Sequence, residues 1–205
     1  MMLSDRDIKK AVKNGELIIK PFKKEQLGPA SYDLLLGNKI RLFKSTEHAC
    51  IDIKNYEDAF RYTHKYKNKI IEHYTYTDLI TSNDPFILHP GEFVLCDTKE
   101  YTEFSKNFAG QIMGRSSIGR LGIIVHATAG FFDPGWKGFG TLEMANLGKI
   151  SVKLYPGMKI AQMGFYKLET PCEVSYSERK GSKYHKNVTN NQAMSSKIMQ
   201  DFKKL

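Results

Sequence analysis

The chain reads as an all-β protein, mainly strands with one short N-terminal helix, on three observations. Its apolar runs are short, a handful of residues each. Turn chemistry separates them, at Pro90–Gly91, Pro134–Gly135 and Pro156–Gly157. A helical apolar period is clear only near the start. Many short strands with such punctuation build a sandwich, a barrel or a jelly-roll-like fold.

The elements follow in order. Ser4 and Asp7 make a capping box, Ile8, Ala11 and Val12 recur at helical spacing, and Gly15 stops the helix. Strands are expected at Leu17–Ile19, Ile40–Phe43, Phe93–Cys96, Phe108–Met113, Gly122–Val125, Ile150–Leu154 and Lys159–Tyr166. Residues 44–80 are charged and aromatic without a firm period. They read as an insertion or excursion, partly helical, to which no chemistry is assigned. From about Ser177 the chain is polar and basic, as in a tail that is mobile when a site is empty. Residues 1–176 are therefore expected to form one β domain and 177–205 a flexible tail, with no internal repeat.

At 205 residues, 41% hydrophobic and 26% charged, the chain suits one sizeable soluble domain. Its apolar runs fall far short of the roughly 20 residues that cross a bilayer. The charged opening MMLSDRDIKKAVKNGE has no apolar core of a secretory signal. Cys50, Cys96 and Cys172 are odd in number and far apart, which fits a reducing compartment. A cytoplasmic protein without membrane contact is expected. The net charge of +9 could suggest nucleic acid, but Lys and Arg are scattered, so a polynucleotide is not the expected partner. A polyphosphate ligand accounts for part of that charge equally well.

The segment GRSSIGRLGIIVHATAGFFDPGWKGFGTLE, Gly114 to Glu143, is the densest in chemistry. Arg115 offers a planar fork for phosphate oxygens, Ser116 and Ser117 add hydroxyl donors, and Gly114 allows close backbone approach. Asp133 and Glu143 supply proton-transfer groups. A segment that only filled a core would not need this density. The composition suits a phosphorylated small molecule held for acid–base chemistry.

In this context the string resembles the dCTP deaminase and dUTPase superfamily. GRSSIGRLG is similar to its phosphate motif, HATAGFFDPGWKG to its deoxyribose motif, and GTLE to the deaminase catalytic motif. GPASYDLLLG (Gly28–Gly37) resembles the first motif, with Asp33 in its acidic position, and PGMKIAQMGF and RKGSKY extend the likeness in order. The dUTPases lack a glutamate matching Glu143 and end in a glycine-rich motif, whereas Arg120, TLE and a lysine–tyrosine tail are deaminase features. The resemblance implies a distorted jelly-roll or β-clip, dUTPase-like fold in a homotrimer. Each site would join neighbouring subunits, with the tail closing over the nucleotide.

By the same resemblance Glu143 is the general base, with Ser116 and Arg120 positioning the water. Flanking Leu142 and Met144 would tune Glu143 only if the fold buries it. Asp133 would take the deoxyribose 3′-hydroxyl and Trp136 would lie under the sugar. The nucleotide contacts implied are Arg115, Ser116, Ser117, Ile118, Gly119, Arg120, Thr141, Leu142, Gln162, Tyr176 and Lys183. Asn187 stands where the family often has glutamine. His126 matches a family histidine and is expected to be structural and hydrogen-bonded. The zinc deaminase pattern of H-x-E and P-C-x-x-C does not occur, so no zinc is expected. Mg²⁺ would be carried by the triphosphate itself.

Some relatives only convert dCTP to dUTP, while others also release dUMP and diphosphate. The pair Gly130–Phe131 before Asp133 resembles the dUMP-forming branch, in which Asp133 also helps orient the second water. A deaminase releasing dUTP, a dUTPase without deamination, a non-catalytic nucleotide-binding module and a nucleic-acid binder remain the competing readings.

Overall fold

The structure, a computed structural model, describes residues 1–44, 50–184, 194, 196, 197 and 200. Asn187 lies outside them. Helix α1 (Asp5–Lys13) begins as the capping box predicts: the Ser4 hydroxyl accepts from the Asp7 N–H at 3.3 Å and donates to its carboxylate at 2.9 Å. Ile8 and Ala11 turn into the core, and Gly15 follows with φ of +72°.

Among the described residues thirteen strands follow: β1 (Leu17–Lys20), β2 (Tyr32–Phe43), β3 (Phe60–Tyr66), β4 (Lys69–Tyr74), β5 (Thr77–Thr81), β6 (Phe86–Leu88), β7 (Phe93–Phe104), β8 (Phe108–Gly114), β9 (Ile123–Ile124), β10 (Phe131–Phe132), β11 (Lys137–Asn146), β12 (Val152–Leu154) and β13 (Lys159–Lys167). A four-residue helix, α2 (Ser116–Gly119), sits between β8 and β9. The all-β expectation with its N-terminal helix is met. The sheet runs β10-β8-β13-β2-β5-β4-β3, with β7 branching from β2 to hold β1 and β11, and β9 pairing β11. Strands β6 and β12 form a separate antiparallel pair.

The core lies between these layers, built from Tyr32, Leu34 and Leu36 of β2, Ile112 of β8, Leu142 and Met144 of β11, and Ile160, Met163 and Phe165 of β13. Phe104, Phe132 and Trp136 add an aromatic cluster, the last two edge to face at 4.5 Å. No helix of the described residues is long and apolar enough to cross a membrane.

Two expectations need correction. The excursion is not helical: from Phe60 it forms β3, β4 and β5, which widen the sheet beyond β2. A buried ion pair pins it there. Arg41 Nη1 lies 3.2 Å from Asp58 Oδ2 and donates to the Thr77 hydroxyl at 2.7 Å, while its guanidinium rests 4.3 Å above the Tyr74 ring. The strand lengths also differ. β7 runs eight residues beyond Cys96, because Thr102 and Phe104 continue the buried alternation and β1 and β11 supply partners. β9 is shorter than expected.

One irregularity shapes the site. The β2–β7 register shifts between Leu36 and Ile40, and the β7–β11 register shifts between Phe139 and Thr141. Asp97 sits at both shifts, filling the space beside Gly37. A Cβ on Gly37 would stand 2.0 Å from Asp97 Oδ1, so only glycine fits. Three β7 residues, Thr98 to Glu100, oppose Gly140 alone at the second shift, while β11 keeps its alternation of half-buried and buried residues through it.

Candidate active site

Strand β11 alternates cleanly at its centre. Leu142 and Met144 are fully buried, so by the two-residue period Thr141 and Glu143 face the other side. The two apolar neighbours therefore pack in the core and do not surround the Glu143 carboxylate. Its surroundings come from the loop after β9 instead. The backbone N–H groups of Ala127 and Thr128 donate to Glu143 Oε2 at 2.9 and 3.1 Å. Oε2 is held from one side, which leaves Oε1 as the oxygen available to a ligand.

A cavity of about 390 Å³ opens beside this carboxylate. Of the residues singled out in the sequence, it gathers Glu143, Thr141, Asp133, Trp136, Phe131 and Tyr176. Trp136 is 8% exposed and serves both core and cavity wall. Asp133 is exposed and ends the loop that starts at Ala127. Phe43, Phe93 and Leu95 form an apolar wall, with Leu95 directly opposite Glu143 in the β7–β11 register. Tyr184, Met194 and Ser196 from the tail complete it. The Tyr184 N–H donates to the Tyr176 hydroxyl at 3.3 Å, and the Met194 N–H reaches the Thr141 hydroxyl at 3.5 Å. Lys183 is placed by its carbonyl, which accepts from Lys197 Nζ at 2.8 Å.

The anion-binding residues are elsewhere. None of residues 115–120 lines this cavity. Arg115 lies 3.2 Å from Asp33 through Nε, and Lys159 meets the other oxygen of the same carboxylate at 2.9 Å. Gln162 stands opposite Asp33 in the β2–β13 register, with the Ser31 hydroxyl 3.5 Å from its Oε1. Ser116, Ser117, Gly119 and Arg120 are exposed around α2, and Ile118 anchors that turn in the core. The chain thus carries two separate clusters: an acid-bearing cavity and a basic, serine-rich turn.

His126 differs from expectation. Its Nδ1 is buried without a hydrogen-bond partner, and its ring packs against Gly130. Packing, not hydrogen bonding, holds it. Sequence reasoning also missed Ala127 and Thr128, whose contribution is a backbone N–H that no side-chain pattern announces. Phe43 could have been found as the outward residue ending an expected strand; Leu95 needed the register.

Below the site lies Asp97, across from Thr141 in register and fully buried. Burial pushes its carboxyl up to about 7, only partly opposed by the Lys39 N–H and charge. Among the described residues no group of three or more His, Cys, Asp or Glu could hold a metal ion.

Two acids thus share one cavity on an antiparallel β architecture, lined in part by Tyr184, Met194 and Ser196. Comparison with known proteins narrows the class. The sequence model of the dCTP deaminase-like family matches residues 2–168. A protein of Nanoarchaeum equitans named "dCTP deaminase, dUMP-forming" is 46% identical over 202 residues, 98% of this chain and 100% of that protein. One of the same name from Dictyoglomus thermophilum is 45% identical over 187 residues, 90% of each. The crystal structure of 2′-deoxycytidine 5′-triphosphate deaminase from Agrobacterium tumefaciens shares the fold, with a TM-score of 0.57 at 17% identity. The match covers 80% of this chain and 47% of that one. The chain belongs to the dCTP deaminase-like family.

Proposed function

We propose that this protein hydrolyses dCTP at two positions, giving dUMP, ammonia and diphosphate. The observation that carries the reading is the shared cavity of Glu143 and Asp133, with Glu143 Oε2 fixed by two backbone donors. The names of the relatives at 46% and 45% identity support it.

Glu143 takes a proton from a water that attacks C4 of the cytosine, and delivers it to the ring nitrogen N3. The tetrahedral intermediate collapses with loss of the 4-amino group as ammonia, its second proton also passing through Glu143. Ser116 and Arg120 orient that water and oppose the developing charge. Asp133 accepts from the 3′-hydroxyl and directs a second water at the α-phosphorus, breaking the bond to the leaving diphosphate. Trp136 packs beneath the sugar. Arg115, Ser117, Gln162 and Lys183 hold the phosphates, with Ile118, Gly119, Thr141, Leu142 and Tyr176 shaping the pocket. Leu142 contributes through its backbone, since its side chain is fully buried.

The separation of the two half-sites supports a homotrimer in which the turn of one subunit completes the cavity of the next. Residues 1–176 form the β domain and 177–205 the covering tail. Magnesium would be carried by the phosphate oxygens of the triphosphate rather than by a protein cage. Such an ion supplies charge neutralisation on the triphosphate. The setting is cytoplasmic.

Incubation with dCTP and Mg²⁺, resolving ammonia, dUTP and dUMP by chromatography, tests the reading. Ammonia with dUMP in equal amounts is expected, and Glu143→Gln lowers ammonia release by at least about a hundredfold. Accumulation of dUTP without dUMP removes the second activity. Turnover of dUTP with none of dCTP removes the first.

A further inference from the structure

The loop from Val125 to Phe132 joins the two acids. Its start supplies the N–H groups that hold Glu143, and its end leads into Asp133. Two contacts fix its path. The Ile112 N–H donates to the Gly130 carbonyl at 2.7 Å, and Phe131 and Phe132 pair with Gln111 and Gly110. The third constraint is steric. A Cβ at Gly130 would lie 2.8 Å from the Ile112 carbonyl oxygen and 3.2 and 3.3 Å from Cε1 and Nε2 of His126. The Ile112 carbonyl is the nearest obstacle, and the His126 ring closes the remaining space a side chain at 130 would need. It does so although Nδ1 is left buried and unpaired, a cost accepted at a position where shape decides.

We propose that His126 and Gly130 form one positioning pair, in which the imidazole wedges under the loop and fixes the backbone donors that aim Glu143. The inference deepens the proposed function: Gly130 matters through what it lets His126 do, and only secondarily through room for substrate. Neither residue touches the reacting atoms. Moving the loop by a fraction of an ångström shifts the Ala127 and Thr128 donors together with Asp133, so both steps suffer at once.

Three variants test it: Gly130→Ala, His126→Ala and His126→Leu. Steady-state rates on dCTP are read alongside hydrogen exchange of the peptide 125–132 in the ligand-free protein. Gly130→Ala is expected to lower kcat about a hundredfold with KM within about threefold, and to speed exchange at residues 127 and 128. His126→Ala does the same, about tenfold, having lost the wedge without gaining a clash. His126→Leu, which keeps the bulk, retains near wild-type kcat and slow exchange.

A Gly130→Ala enzyme at full kcat overturns the pair. So does a His126→Leu variant as inactive as His126→Ala, because the imidazole would then act chemically. Should Gly130→Ala not fold, the two histidine variants decide alone. If the wild-type protein makes no ammonia from dCTP, the functional reading fails. Exchange still judges the pair: unchanged protection at 127 and 128 in Gly130→Ala or His126→Ala sinks it.

Discussion

Asp97→Asn should gain stability relative to the wild type as pH rises from acid to alkaline. The carboxyl is fully buried, with Oδ1 accepting the Lys39 N–H at 3.2 Å and Oδ2 unpaired. Its folded pKa of about 7 stands above the ordinary 3.8. A raised acid binds protons more tightly in the folded state, so stability is greatest below pH 3.8 and declines as pH rises toward 7. The full penalty above pH 7 is about three units, or about 4 kcal/mol. Integrating the linkage, the wild type should lose about 2.5 kcal/mol between pH 5 and pH 8 through this group alone. Asparagine keeps the shape and the acceptor for Lys39 but cannot ionise. Its amide leaves a buried donor without a partner, which costs about 1–3 kcal/mol at every pH. Urea unfolding of both proteins at pH 5 and pH 8, at one protein concentration, reads the difference directly. The variant should gain on the wild type by about 2.5 kcal/mol across that interval, whatever its offset. A difference that does not change with pH refutes the assignment of a buried, uncompensated acid at this bulge.

Two further outcomes test the scaffold. Ser4→Ala removes the acceptor for the Asp7 N–H and should cost about 1 kcal/mol in urea unfolding, because the cap is local and exposed. Asp58→Ala leaves Arg41 buried without its carboxylate, and should cost about 3–5 kcal/mol. Replacing both partners with apolar residues should recover most of that loss, and a double variant as unstable as the single one argues against the pair.

What was legible in the sequence was whatever local chemistry decides. Ser4 and Asp7 fix their helix within one turn, and the three Pro–Gly pairs mark the turns that lead into β7, β11 and β13. Strands β3 to β5 were not legible because β3 is exposed along its whole length, so no alternation of buried and exposed residues marks it. Their strand state comes from pairing to β2 and from the Arg41–Asp58 anchor, both remote in sequence. Strand β11 was obscured by Gly138 and Gly140, which weaken a strand pattern although burial alternates regularly along it. The residue types of the site were readable as a motif. Their division between a cavity and a distant turn was not, because it depends on how β8, β11 and β13 are ordered in space.

That division leads to the strongest test of the proposed assembly. Glu143 lies in the cavity, while Ser116 and Arg120 are exposed around α2 and line no part of it. If the turn of one subunit completes the cavity of its neighbour, a Glu143→Gln chain still offers an intact turn. An Arg120→Ala chain still offers an intact acid. Each variant alone should be inactive. Unfolded together at equal concentration and refolded as mixed trimers, they should recover activity at roughly a quarter of the sites, the chance that an intact acid meets an intact turn. A site contained within one subunit cannot be rebuilt this way, because every chain carries one lesion. Mixed trimers with no activity above the separate variants would therefore place all the catalytic groups in a single chain, and would require α2 to swing toward β11 when nucleotide binds.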